Sequence, residues 1–295
     1  TPKPSSAASD VYKRQDYDIS VVLGSKNRKN LLKATINSIR KNGFHGNLEI
    51  IVIDGGSTDG TCSWLAKQKD IFTMIQPNYK MTDSEGIRVL AHSWGEFMNI
   101  AFKYASAPYI VMVSDDLILH EGCLQNGYDE LERRRINGEK IGAGAFYFRE
   151  FPRHDFYRVG VLPKNYVTLN HGFYFKKALE DVGYLDTVNY NFYAADGDVI
   201  MRLNECGWKS VALENCFSEH LCHKPKLRNR GVLSPSNERD MNTFRKRYPF
   251  EKTKNYFIKY TNQTISKKPF YLYAFANVFY GYLLRIVDKY RNADK

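Results

Sequence analysis

The sequence predicts an α/β protein built on a mainly parallel sheet flanked by helices. Three observations carry that expectation. Residues 19–75 alternate strand, helix, strand, helix, strand, the pattern of a parallel sheet with crossover helices. Residues 109–113 (YIVMV) are apolar and mostly β-branched, too short for a buried helix and suited to a strand covered on both faces. Two of these runs end in carboxylates, at Asp54 and at Asp115 and Asp116, and in open α/β sheets ligands bind outside the carboxyl ends of the strands.

Composition agrees with a folded enzyme-sized chain. The protein has 295 residues, 43% hydrophobic and 25% charged, with 21 Tyr and 18 Phe. That suits one large domain or two small ones. The formal net charge of +11 suits an anionic partner. The chain carries neither an RNA-recognition aromatic motif nor a C₂H₂ finger, so nucleic acid is not the expected partner. The five cysteines, Cys62, Cys123, Cys206, Cys216 and Cys222, form no CxxC pair and read as reduced thiols of a cytoplasmic protein.

In chain order, residues 1–16 lack periodicity and read as a disordered or non-native tail. Residues 19–23 (ISVVL) form the first strand. Leu31, Leu32, Ile36 and Ile39 then share one helical stripe, which Gly43 ends. Residues 48–53 (LEIIVI) are the second strand, ending at Asp54. The loop 54–60 (DGGSTDG) follows, then a helix over 61–69 and a short strand over 71–75. Gly55 and Gly56 allow a tight turn and close backbone approach to a ligand, and Ser57, Thr58 or Asp59 can cap the next helix. Residues 80–100 read as a loop and helix. Arg88 and His92 either supply a phosphate contact or lie on a solvated face.

The run at 109–113 ends in Ser114, Asp115 and Asp116. Adjacent carboxylates raise each other's pKa unless a positive charge sits beside them, and carboxylate oxygens suit a hard cation such as Mg²⁺ or Mn²⁺. On the residues alone this is either a metal and phosphate site or a turn capping a helix that begins near Leu117. A charged helix over 122–138 and a strand over 141–148 follow. Val199, Leu203 and Cys206 form a further helical stripe ended by Gly207. Cys216, His220, Cys222 and His223 fit no common structural zinc spacing. Residues 224–254 are basic. Residues 270–287 are strongly apolar but interrupted by Asn277, Gly281 and Arg285, marginal as a span. With Lys267 and Lys268 ahead, residues 267–287 suit an interfacial membrane helix or a helix packed on the domain.

These motifs together resemble the family 2 glycosyltransferases, inverting enzymes of the GT-A (Rossmann-like) fold. The family's first strand ends in P-T-Y-N-R, where this chain has Gly24, Ser25, Lys26, Asn27 and Arg28. Its second strand ends in V-D-D-G-S-x-D-G-T, matched by Asp54, Gly55, Gly56, Ser57, Thr58, Asp59, Gly60 and Thr61. Gly24, Lys26 and Gly55 depart from the pattern. Asn99 matches the Asn of the helix motif A-R-N, with Met98 in place of Arg. The D-x-D motif falls on Ser114, Asp115 and Asp116, and E-D-x-D-x-x-x-R-x-x-x-x-G on Ala195, Asp196, Asp198, Arg202 and Gly207.

The resemblance spans about residues 17–225 and implies a catalytic domain there, with residues 226–295 as a basic, aromatic, helical extension. It implies a nucleotide-diphosphate sugar donor, UDP- or GDP-linked, held by Ser25, Asn27, Arg28, Asp54, Gly56, Ser57, Asn99 and Asp115. Mn²⁺ or Mg²⁺ would sit on Asp116 and His220, with His223 as second choice. The acceptor, a glycan or lipid-linked sugar, would lie near His171 and Gly172. Asp196 would be the base, since inverting transfer needs a carboxylate to take the acceptor proton; Asp198 reads as a helix cap or a partner of Arg202. A cytoplasmic protein peripheral on the inner face of the membrane is expected. Ser114 and Ala195, where the family has carboxylates, keep a degenerate sugar-nucleotide-binding subunit as the alternative. A nucleotidyltransferase ranks lower, because residues 24–30 hold a single Gly.

Overall fold

A computed structural model describes residues 16–150, 154–221, 233–249, 257–260, 279–288 and 290. The tail, Cys222, His223, Lys267, Lys268 and residues 270–278 lie outside them.

The first half follows the expected order. Strands β1 (Ile19–Ser25), β2 (Leu48–Asp54) and β3 (Ile71–Ile75) alternate with helices α1 (Lys29–Arg40) and α2 (Thr61–Leu65). A small hairpin, β4 (Lys80–Thr82) and β5 (Arg88–Leu90), precedes α3 (Trp94–Tyr104) and β6 (Tyr109–Met112). Strands β6, β1, β2 and β3 lie side by side, all parallel. Strand β1 is apolar on both faces because both are covered. Ile19, Val21 and Leu23 pack with Leu32, Ile36 and Ile39 of α1, while Val22 packs with Phe97, Ala101 and Phe102 of α3. Helix α2 is shorter than the expected 61–69. Its end tightens into a turn in which Lys67 and Gln68 donate N–H groups to Trp64 and Leu65, 3.1 and 2.9 Å away.

The second half mixes directions. Strands β7 (Leu117–Leu119), β8 (Ile141–Arg149), β9 (Arg158–Gly160), β10 (Gly172–Phe175) and β11 (Lys209–His220) join the sheet, with helices α4 (Cys123–Ile136), α5 (Lys176–Asp181) and α6 (Ala195–Glu205) between them. Strand β10 lies antiparallel between β6 and β8. Strand β11 runs parallel to β8 and antiparallel to β7, so β8 and β11 run the same way as β6. The helix considered at Leu117 is therefore a strand. Leu117 and Leu119 are drawn into the core under α1, and β11 fixes their backbone. After residue 225 the chain is not purely helical. Helix α7 (Pro235–Arg247) sets Phe244 against α6 at Gly197, but β12 (Phe257–Lys259) adds a strand to the same sheet beside β9.

Strand register builds the edge where the motifs meet. Ser25 pairs with Asp54, and Val22 with Met112, which sets Asp115 level with Ser25. Arg149 pairs with Glu219, which sets Glu150 level with His220. Gly172 opposes Met112 and Ala145, so β10 begins where β6 ends. The three strands pass so closely that a Cβ on Gly172, whose φ is +147°, would stand 2.1 Å from the Gly144 carbonyl. Gly172 is thus required by packing. The edge lies where β1 leads to neighbours on opposite sides, the crevice in which open α/β sheets bind ligands.

Candidate functional site

The loops after β1 and β2 are zipped together. Asp54 is fully buried and accepts N–H groups from Gly56 at 2.9 Å and Ser57 at 2.7 Å, and the Ser57 hydroxyl at 2.7 Å. Asn27, at φ +53°, donates its N–H to Ser57 Oγ and accepts the Thr58 N–H at 2.7 Å. Asp59 accepts the Lys29 N–H at 3.0 Å and so caps α1 from the neighbouring loop. The carboxylate of Asp54 is consumed in shaping this loop, while Gly56 and Ser57 form its turn. The Lys26 stem fills the space above Gly55, where a Cβ would meet it at 3.0 Å. That explains why Lys26 and Gly55 depart from the motif together.

Asp115 and Asp116 are 3% and 2% exposed, so their charge must be matched. Arg28 does this as a fork: Nη1 lies 2.6 Å from Asp115, and Nη2 pairs with Asp116. Ser25 donates its hydroxyl to Asp115 at 2.7 Å, and Ser114 donates to Asp116 Oδ1 at 2.7 Å. Burial pushes Asp115 up to about 6, with Arg28 opposing and Asp116 adding to the rise. Burial also opposes charge on Asp116, but Arg28 and His220 outweigh it and hold that carboxyl well below the usual range.

His220, at the end of β11, places Nε2 3.3 Å from Asp116 Oδ1 and Nδ1 3.3 Å from Glu150. Burial disfavours its charge, yet the two carboxylates raise it to about 10. His171 packs beside it, the rings tilted by 51° with centroids 5.3 Å apart, and burial together with the His220 charge lowers His171 to about 3. Beneath them Glu219, fully buried, accepts Arg149 Nη2 at 2.8 Å, faces His120 Nε2 at 3.1 Å and accepts the Tyr157 hydroxyl. This network fixes the strand that presents His220. Among the described residues no three His, Cys, Asp or Glu side chains converge on one point. Asp116 and His220 do converge. Neighbouring ligands in an octahedral shell stand about 3 Å apart, and nucleotide-bound Mg²⁺ keeps only one or two protein ligands. With the His220 proton displaced by the metal, the donor set suits a divalent cation completed by phosphate and water.

Asp196 stands in the first turn of α6, partly buried, and accepts the Gly197 N–H at 2.9 Å. Burial raises its pKa, and that bond only partly opposes the rise. Asp198 is structural: it accepts Arg202 Nε at 2.7 Å and the Tyr248 hydroxyl at 3.0 Å, tying α6 to α7. Asn99, expected at the donor, instead spends both ends of its amide on the Leu185 backbone, at 3.0 and 3.1 Å. It clamps α3 to the segment leading to α6. His171 and Gly172 stand at the start of β10, beside His220 and β8. Glu150 and the Glu219 network were not singled out from the sequence, because only strand register brings them here.

The model of the family described as "Glycosyl transferase family 2" matches residues 20–180. No curated protein matches the chain. Among solved structures, the mannosyltransferase PcManGT from Pyrobaculum calidifontis, in complex with GDP-Man and Mn²⁺, is similar at TM-score 0.51 and 15% identity, covering 72% of this chain and 59% of that one. S. aureus TarS 1-349 in complex with UDP-GlcNAc is similar at TM-score 0.51 and 17% identity, covering 77% and 64%. The chain thus spans less than two thirds of the length of either structure. At this identity the likeness is one of fold: a GT-A, Rossmann-like α/β sheet flanked by helices. No helix among the described residues is long and apolar enough to cross a membrane.

Proposed function

Because the chain belongs to glycosyl transferase family 2, we propose that it moves a sugar from a nucleotide-diphosphate donor to a hydroxyl of a glycan or lipid-linked acceptor, with inversion. The observation that carries this reading is the convergence of Ser25, Arg28, Asp115, Asp116 and His220 at one edge of the sheet, with Asp196 in the first turn of α6. GDP-Man and UDP-GlcNAc in the two similar structures support a GDP- or UDP-linked donor.

Asp116 and His220 would hold Mn²⁺ or Mg²⁺, which supplies positive charge that offsets the charge of the leaving diphosphate. Asp115 faces the donor ribose or the cation, oriented by Ser25, while Arg28 keeps both carboxylates ionised and in place. The backbone at Gly56 and Ser57 lines the nucleotide side. Asp196 takes the proton of the acceptor hydroxyl as that oxygen bonds to the anomeric carbon. The bond from that carbon to the diphosphate oxygen breaks, and the nucleoside diphosphate departs with the electron pair. The raised pKa of Asp196 makes it a better base than an exposed carboxylate. The active site belongs to a catalytic domain over residues 17–225, acting at the cytoplasmic face of a membrane.

Asp196→Asn tests the reading. Transfer is expected to fall about 10²- to 10⁴-fold, the usual worth of a general base, while donor affinity stays within about twofold. A variant that transfers as well as the parent removes Asp196 from the mechanism. A parent without transfer, binding donor no differently from the variant, favours a binding subunit.

A further inference from the structure

Residues 279–288 form a helix whose inner face rests on the rim of the site. Leu284 packs with Leu31, Ile118 and Leu221. Leu221 follows His220 directly and donates its N–H to the Asp116 carbonyl at 2.9 Å. A Cβ on Gly281 would stand 2.5 Å from Leu221 Cδ1, so the helix backbone lies directly on that residue. At the other end Asp288 is buried and accepts the Asn30 side-chain amide at 2.7 Å, within the first turn of α1 and close to Arg28. Two anchors thus hold the helix across the strand edge.

Arg285 lies between these anchors. Among the described residues its Nη1 is buried and has no hydrogen-bond partner. Besides burial, the charges acting on it are those of Arg28, Asp116, Asp115 and Asp288. Arg28 and His220 already match the acidic pair. Arg285 therefore adds a further cation with a donor to spare, and a buried N–H without an acceptor is costly. Its planar fork of N–H groups matches phosphate oxygens better than any other side chain does.

We propose that Arg285 binds the diphosphate of the nucleotide donor and that residues 279–288 form one wall of the donor site. This assigns the C-terminal helix a role in the reaction that the motifs before residue 225 do not reach. It rests on the donor reading above.

The test is calorimetric titration of the full chain with UDP and GDP, using uridine and guanosine as phosphate-free probes, for the parent, Arg285→Gln and Gly281→Leu. Arg285→Gln is expected to weaken the preferred diphosphate about tenfold to a hundredfold, the worth of a charge-assisted bond, with nucleoside affinity within about twofold. Gly281→Leu, which wedges the helix off Leu221, is expected to lose diphosphate affinity in the same way. Unchanged diphosphate affinity in Arg285→Gln overturns the proposal, as does an equal loss for nucleoside. A parent chain that binds neither diphosphate overturns the donor reading, and this inference with it.

Discussion

Asp196 and Asp198 stand two residues apart on α6 and do opposite work. Asp198 is saturated by Arg202 and Tyr248, whereas Asp196 accepts only backbone N–H groups among the described residues and is raised by burial. The Tyr174 hydroxyl feels the charges of both Asp196 and Arg202. A protonated Asp196 cannot take the acceptor proton. The turnover rate should therefore rise with pH along a single ionisation above the ordinary carboxylate value of 3.8. An acid limb at or below that value in the kcat profile would contradict the assignment. Motif spacing picked out Asp115 and Asp116, which the structure brings together with Arg28 and His220, and proposed Asp196 as the base. It misplaced Asn99, because nothing local reveals that Leu185 takes both ends of its amide. Glu150 and Arg285 were illegible as site residues, since each reaches the site only through the register of β8 with β11 or the seating of a distant helix.

At the scale of elements, β11 matters most. It is the strand that carries His220, and its alignment depends on Glu219, shared by Arg149, His120 and Tyr157 from β8, the end of β7 and the approach to β9. Removing one member of a buried ion pair costs about 3–5 kcal/mol. Glu219→Ala is therefore expected to lower the unfolding free energy by about that amount in chemical denaturation, and a loss below about 1 kcal/mol would show the network to be dispensable. The parallel strands were readable because each is an apolar run between polar turns. Strand β7 was not. Its three residues, Leu117–Leu119, are too few to show a period, and only pairing with β11 decides between strand and helix. Strand β12, equally short, is strand because β9 offers it a free edge.

Over the whole molecule, a parallel half and a mixed half bring the carboxyl ends of β1, β2, β6, β8 and β11 to one edge. The C-terminal helix lies across that edge, not apart from it. Its outer face leaves Phe279, Tyr280, Leu283 and Val287 exposed, in keeping with the amphipathic character of this stretch, while its inner face belongs to the site. The charge of +11 fits a chain that draws in an anionic donor. If this edge holds a nucleotide sugar with a divalent cation, donor hydrolysis across a panel of UDP- and GDP-linked sugars with Mn²⁺ or Mg²⁺ will show it without any acceptor. One donor is expected to be cleaved only when metal is present, and cleavage to disappear in Asp116→Ala. No cleavage of any donor, together with no metal-dependent nucleotide binding, would contradict this reading.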